Sequence, residues 1–283
     1  MTLERTDRVN WSTLKHILTS PKHYRYWLAN PRPDSEALLV GRATHCAVYE
    51  PDEFGARYVV APRFNRACND DTARAKGYDG GKQAAAEWDA SHTGAEVIEA
   101  DAMKRIVGMR DALMADPVSG PMLRGGRKEF RIEWTDHETG IECRGRVDHV
   151  RGGLRDLKTT RSLLSFECDV ARLMYHAQLA WYLDGLKLAG IDATDAPCLI
   201  AVENEPPFDV QVLTFTEEDL DAGRRLYRDA LDTLAVCRRL DHWPGVARGV
   251  TRRVQLPAWA FPSGEDDEEI DFASVDGVTV GVG

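Results

Sequence analysis

The sequence predicts an α/β fold, a central mixed sheet built around an antiparallel meander and flanked by helices from both sides of the chain. Three observations predict it. Residues 128–134, 142–150 and 154–159 carry strand patterning, and only Asp136-His137-Glu138-Thr139-Gly140 and Arg151-Gly152-Gly153 separate them, turn-forming clusters at hairpin spacing. Helical periodicity runs over 35–49 and 101–114 before the meander, and over 165–174 and 175–189 after it. Two further strands, 196–203 and 209–215, then lead into a long helix over 217–240 that Thr216 is placed to cap.

In chain order, Ser12 is the expected N-cap of a short helix over 14–18, which Ser20-Pro21 stops, with Tyr24, Tyr26 and Trp27 forming an anchoring turn. The helix over 35–49 carries the apolar stripe Leu38, Leu39, Ala43, Cys46 and Ala47, and Pro51 ends it. Between residues 62 and 81 the apolar pattern lapses into Arg, Asn, Asp, Lys and Gly, which predicts a long, mobile surface loop. A helix over 82–90, a short strand at 97–98 and the helix over 101–114 follow, before Pro117 and Pro121 punctuate the chain. Beyond Pro257 the chain is short, acidic or Gly-rich. One domain over 1–256 with a loose acidic tail over 257–283 is therefore expected.

At 283 residues and 43% hydrophobic the chain can bury a full core. No apolar run approaches the roughly 20 residues that span a bilayer, and the N-terminal segment lacks the regions of a signal peptide. A cytoplasmic protein without a membrane partner is expected. The cysteines Cys46, Cys68, Cys143, Cys168, Cys198 and Cys237 are scattered, without ligand spacing for zinc or an iron–sulfur cluster, and are expected as reduced, mostly buried thiols. A net charge of −10 argues at first against a polyanion. Yet residues 265–271 hold much of the negative balance, whereas Arg124, Arg127, Lys128, Arg131, Arg144, Arg146 and Arg161 make the middle locally basic, so nucleic acid is not excluded.

The chemistry concentrates in Gly145-Arg146-Val147-Asp148-His149-Val150, a Gly-Gly turn, and Leu154-Arg155-Asp156-Leu157-Lys158-Thr159-Thr160. On a strand, Asp156 and Lys158 project from one face, and the hairpin brings Asp148 alongside. Two neighbouring carboxylates repel, and a divalent cation resolves the repulsion; an oxygen-rich site suits Mg2+, with Mn2+ as the alternative. The plain alternative is an exposed hairpin with an ordinary Asp–Lys ion pair. Glu129, Glu133 and Glu142 are nearby acids, and alternation alone does not decide whether they face the site. His149 points away from Asp148 and reads as structural. Glu50, five residues from His45, lies about 140° around the helix and is a poor co-ligand.

The order of these pieces resembles the RecB/RecE branch of the PD-(D/E)xK nucleases, whose fold is a restriction-endonuclease-like core. In that branch a helix carries a metal-binding His, followed by an Asp in a G-x-x-D strand, a D-x-K strand, and a helix bearing Q-x-x-x-Y. The matching residues here are His45 in Gly41-Arg42-Ala43-Thr44-His45, then Asp148, Asp156 with Lys158, and Gln178 with Tyr182. The opening Ser12, Leu14-Lys15, Ser20-Pro21 and Tyr24 also resembles a RecE-like (exodeoxyribonuclease VIII-like) domain, so the resemblance covers about 10–240.

The resemblance implies a Mg2+-dependent deoxyribonuclease without an iron–sulfur cluster. His45, Asp148, Asp156 and the carbonyl of Leu157 would hold metal, Lys158 would act on the nucleophile, and Gln178 and Tyr182 would position the strand or support Lys158. Arg42, Arg144, Arg146 and Arg161 are candidate phosphate contacts. It further implies a 5′→3′ exonuclease acting on double-stranded ends, in a phage recombination setting, assembled as a ring-shaped homo-oligomer and feeding single strands to an annealing protein. Two other classes stay open. A noncatalytic DNA-end-binding or assembly protein would have no need of Mg2+, and a metal-dependent hydrolase of another phosphoester would not be competed by duplex DNA.

Overall fold

The computed structural model describes residues 8–31, 33–251, 253–257 and 260. The chain divides into two units, Met1–Val246 and Ala247–Gly283. Of the tail expected to be loose, everything beyond Pro257 except Ala260 lies outside the described residues.

The first unit opens with α1 (Trp11–Leu14), a 3-10 turn (Lys15–Leu18) and α2 (Pro21–Ala29). Here the sequence expectation needs two corrections. Asn10 caps α1, its side chain accepting the Thr13 N–H at 2.9 Å, while Ser12 donates its hydroxyl to Asn10 instead. The first helical turns do end ahead of Ser20-Pro21, but the expected anchoring turn is a helix that Pro21 starts: it occupies the first turn, where a missing N–H costs nothing, with Ser20 as N-cap. The same chemistry recurs after α3 (Glu36–Tyr49), which Ser35 caps. Pro51 ends α3 and at once opens α4 (Pro51–Arg57), which leads to β1 (Tyr58–Val60).

The segment expected as an unbroken loop contains α5 (Asp70–Ala75), capped by Asn69 and followed by α6 (Lys82–Ser91). Its polar composition hid the helix because the turn packs only Ala73 inward. β2 (Glu96–Ile98) pairs in parallel with β1, and α7 (Ala100–Ala115) and α8 (Ser119–Met122) follow.

The expected meander is present as β3 (Arg127–Thr135), β4 (Glu142–Arg151) and β5 (Gly153–Thr160). After α9 (Phe166–Arg172) and α10 (Tyr175–Leu188), kept apart by Met174 in the left-handed region, come β6 (Asp195–Glu203), β7 (Val210–Thr214) and α11 (Glu217–Leu240). Thr216 caps α11 as expected, in a full capping box with Asp219. The sheet order is β3-β4-β5-β6-β7, antiparallel except for the parallel β5–β6 pair. Only that junction needs a crossover, and α9 and α10 supply it.

Strand alternation sends side chains into two helical layers. Leu157, Ile200 and Val202 pack with Val40, Ala43 and Cys46 of α3 and with Ile106 and Met109 of α7. Leu154, Leu199 and Ala201 pack with Leu179 and Leu186 of α10. Leu157 and Leu199 are inaccessible to solvent, so truncating either to Ala costs on the order of 2–5 kcal/mol. Four of the six cysteines, Cys46, Cys143, Cys198 and Cys237, are buried thiols. Among the described residues no helix is long and apolar enough to cross a membrane.

Candidate active site

The site forms where β4 and β5 part. Their ladder holds for three pairs, Arg151–Gly153, Val150–Leu154 and His149–Arg155, and then stops. At the next position the Asp148 carboxylate accepts the Leu157 N–H at 2.9 Å, a side chain taking a bond that a strand carbonyl would otherwise supply. Because the strands splay there, residues from both helical layers reach the gap: His45 from α3 on one face, Gln178 and Tyr182 from α10 on the other.

On the α3 face, His45 Nδ1 lies 3.5 Å from Asp148 and 3.4 Å from Glu129, while Nε2 bonds the Leu157 carbonyl at 3.0 Å. Ligand atoms of His45, Glu129 and Asp148 all fall within 4.8 Å of one another. Glu129, which alternation left undecided, is therefore part of the site, with its side chain 6% exposed. Its backbone adopts φ 46°, and the flanking pairs Lys128–His149 and Phe130–Val147 place it opposite Asp148. Glu133 pairs instead with Arg8, and Glu142 is exposed at the far end of β4.

On the α10 face, Asp156 is 1% exposed and forms an ion pair with Lys158. Gln178 Nε2 donates to Tyr182 Oη at 3.0 Å and lies 3.5 Å from Asp156. The Lys158 ammonium sits 4.9 Å from the ring centroid of Tyr175, a cation–π contact that no local sequence pattern announces. Tyr182 comes close to β4 only because residue 145 is glycine, since a Cβ there would lie 2.9 Å from its ring.

The electrostatics are those of a cluster short of positive charge. Burial pushes the Asp156 carboxyl up to about 6, with Lys158 pulling it down and Asp148 adding to the rise. Burial works against a charge on His45, but Asp148 and Glu129 outweigh it and raise its pKa. Lys158 is likewise raised above the ordinary lysine value: Asp156 and Asp148 outweigh the cost of burial, so its ammonium persists.

The donor set fits a divalent cation. Two carboxylates, an imidazole nitrogen and a backbone carbonyl converge, while Asp156, expected as a further ligand, lies outside that cluster and pairs with Lys158. His149 keeps out of it: it is fully buried with its ring stacked on Tyr49 of α3 at 5.8 Å, bonds the Gly125 carbonyl at 2.8 Å, and its pKa is lowered by burial.

The four candidate phosphate contacts divide. Arg144 and Arg146 line a cavity of about 370 Å3 with Trp11, Arg131, Gly145 and Tyr182. Arg146 also holds Glu129 at 2.8 Å. Arg161 is exposed just past β5. Arg42 forms exposed ion pairs with Asp34 at 2.7 Å and Glu96 at 2.5 Å, at the N-terminal side of His45 on α3. Glu50 is held by Arg57 at 2.7 Å, consistent with its poor placement for the metal.

A family model described as a PDDEXK-like domain of unknown function (DUF3799) matches residues 10–251. Among solved structures, the chain is similar to a protein from Eubacterium rectale described as a "putative exonuclease", with 12% identity and a TM-score of 0.57 over 91% of this chain and 94% of that one. At that identity the likeness is one of fold. No curated protein sequence matches the chain. The family description agrees with the superfamily that the residue pattern resembles and does not extend to the RecB/RecE branch.

Proposed function

The chain belongs to the PDDEXK-like domain family, and from that premise we propose that it is a Mg2+-dependent deoxyribonuclease that degrades DNA from double-stranded ends, 5′→3′. The observation that carries this reading is the convergence of His45, Glu129, Asp148 and the Leu157 carbonyl on one point, with the Asp156–Lys158 pair beside it.

His45, Glu129 and Asp148 would hold the metal, with Asp156 and the Leu157 carbonyl as the further oxygen donors. A bound divalent cation would neutralise phosphate charge and make water a stronger nucleophile at neutral pH. The chain's own groups do the rest. Leu157 N–H fixes Asp148 in one orientation, so the carboxylate is aimed before substrate arrives. Lys158 stays protonated and therefore serves as a cation that stabilises negative charge developing on the phosphate or orients the attacking water, rather than as a base. The Gln178–Tyr182 pair bonds toward Asp156 and offers a hydroxyl at the cavity where Arg131, Arg144 and Arg146 would grip the strand's phosphates.

Degradation from an end would leave single strands suited to an annealing protein in recombination, and a ring of copies around the duplex would keep the enzyme on its track. The test is digestion of linear duplex DNA labelled at one 5′ end, in Mg2+ or EDTA, by the wild type and Asp156→Ala. Metal-dependent loss of the label from the end, absent in the variant, supports the reading. No cleavage in Mg2+ or Mn2+ overturns it.

A further inference from the structure

α3 ends on Tyr49, one turn beyond His45 on the same helical face. The side chain is 4% exposed, and its hydroxyl is buried without a hydrogen-bond partner among the described residues. The ring is held from several sides. His45 meets it edge to face at 6.0 Å, His149 stacks on it at 5.8 Å, and the Lys128 ammonium lies 6.0 Å from its centroid. His149 is anchored in turn by the Gly125 carbonyl at 2.8 Å, and its place depends on glycine at 126, where a Cβ would lie 2.6 Å from Nε2.

A buried hydroxyl without an acceptor destabilises a fold, and phenylalanine would fill the same space without that cost. The surroundings give this hydroxyl a use. Burial first, and then the charges of Asp148, Asp156 and Glu129, hold its pKa well above the ordinary tyrosine value. It therefore keeps its proton in the field of three carboxylates. Of the two in the His45–Glu129–Asp148 cluster, Glu129 already accepts from Arg146 at 2.8 Å, whereas the bond that Asp148 accepts from the Leu157 N–H uses Oδ2 and leaves Oδ1 for a second donor.

We propose that Tyr49 is a positioning residue for the metal site: its hydroxyl donates to the Asp148 carboxylate when a divalent cation binds between His45, Glu129 and Asp148. This rests on the metal-dependent nuclease reading of that cluster. The ligand atoms there lie within 4.8 Å of one another, and a cation bound among them draws them toward one point. Carboxylates that ligate a metal are held in orientation by donors behind them, and a buried phenol whose ring is already fixed supplies such a donor with little loss of side-chain freedom. The stability that the unpaired hydroxyl costs the fold is then recovered on binding metal.

The test uses full-length Tyr49→Phe, which removes the hydroxyl and keeps the ring, with Tyr58→Phe, another buried tyrosine of the same layer, as the reference. Mn2+ affinity is measured from the electron paramagnetic resonance of the free ion, and melting temperatures are taken in EDTA. Tyr49→Phe should bind Mn2+ about tenfold more weakly or worse. In EDTA it should nevertheless melt higher than the wild type, by about 2 °C, because an unpaired buried donor is gone. Tyr58→Phe should bind Mn2+ as the wild type does. A packing role alone does not produce those opposite signs. Unchanged Mn2+ affinity in Tyr49→Phe overturns the proposal, and so does a lower melting temperature in EDTA, which would mean that the hydroxyl has an acceptor without metal. If the wild type binds Mn2+ but cleaves no DNA, the nuclease reading falls and the affinity ratio still decides Tyr49. A wild type that binds no Mn2+ overturns both.

Discussion

Asp136 and Asp156 are both buried acids that face a cation, yet their pKa values move in opposite directions. Asp136 closes the β3–β4 turn with every acceptor position used. Arg228 reaches it with two nitrogens, at 2.5 and 2.9 Å, and the Thr139 N–H and hydroxyl donate at 3.0 and 2.5 Å. Although burial opposes its charge, these donors hold the carboxyl down at about 2. Asp156 has one lysine and a distant Gln178, and burial, with the repulsion of Asp148 added, pushes it up to about 6. The first acid is saturated and serves stability. The second lacks positive charge, a deficit that a divalent cation bound beside it would offset.

The comparison breaks if the two acids respond alike to removal. The largest expected effect is on chemistry: Asp156→Ala should lower the rate of duplex degradation by about a thousandfold or more, measured by release of acid-soluble nucleotides in Mg2+. Next, Asp136→Ala should destabilise the fold by about 3 kcal/mol, read from urea midpoints, because it strands Arg228, while activity per folded molecule persists at low temperature.

Acid titration sharpens the contrast. The folded pKa of Asp136, about 2, lies below its ordinary 3.8, so its contribution is complete above that ordinary value and is lost as pH falls toward 2. The wild type should lose about 2 kcal/mol of stability over that window, beyond any loss shown by Asp136→Ala. The smallest effect concerns metal. Mn2+ should raise the melting temperature of the wild type, and Glu129→Gln should weaken that stabilisation by about 1.4 kcal/mol, a tenfold loss of affinity. An unchanged metal response in Glu129→Gln would remove Glu129 from the ligand set.

The D-x-K pair was legible because alternation on β5 is regular: Asp156 and Lys158 share a face and meet. His45, Gln178 and Tyr182 were legible only as parts of a pattern, since a helix's sequence fixes which residues share a face but not what that face meets. Glu129 stayed undecided because β3 is distorted at that residue, where a positive φ interrupts the regular pairing. The ion pairs of Arg42 were illegible for a similar reason: its partners, Asp34 and Glu96, are 8 and 54 residues away, and no local pattern announces an ion pair across such a span.

The sequence by itself determined the elements of the meander, the capping of α11 by Thr216, and the residue types that divalent-metal chemistry requires, all consequences of local periodicity and short-range hydrogen bonding. Only the tertiary structure decided that β4 and β5 part after the His149–Arg155 pair, so that Asp148 turns into the gap, Glu129 joins it, and residues from both helical layers reach one point. The physical reason is that each of these placements depends on contacts between residues distant in sequence, which no window along the chain contains.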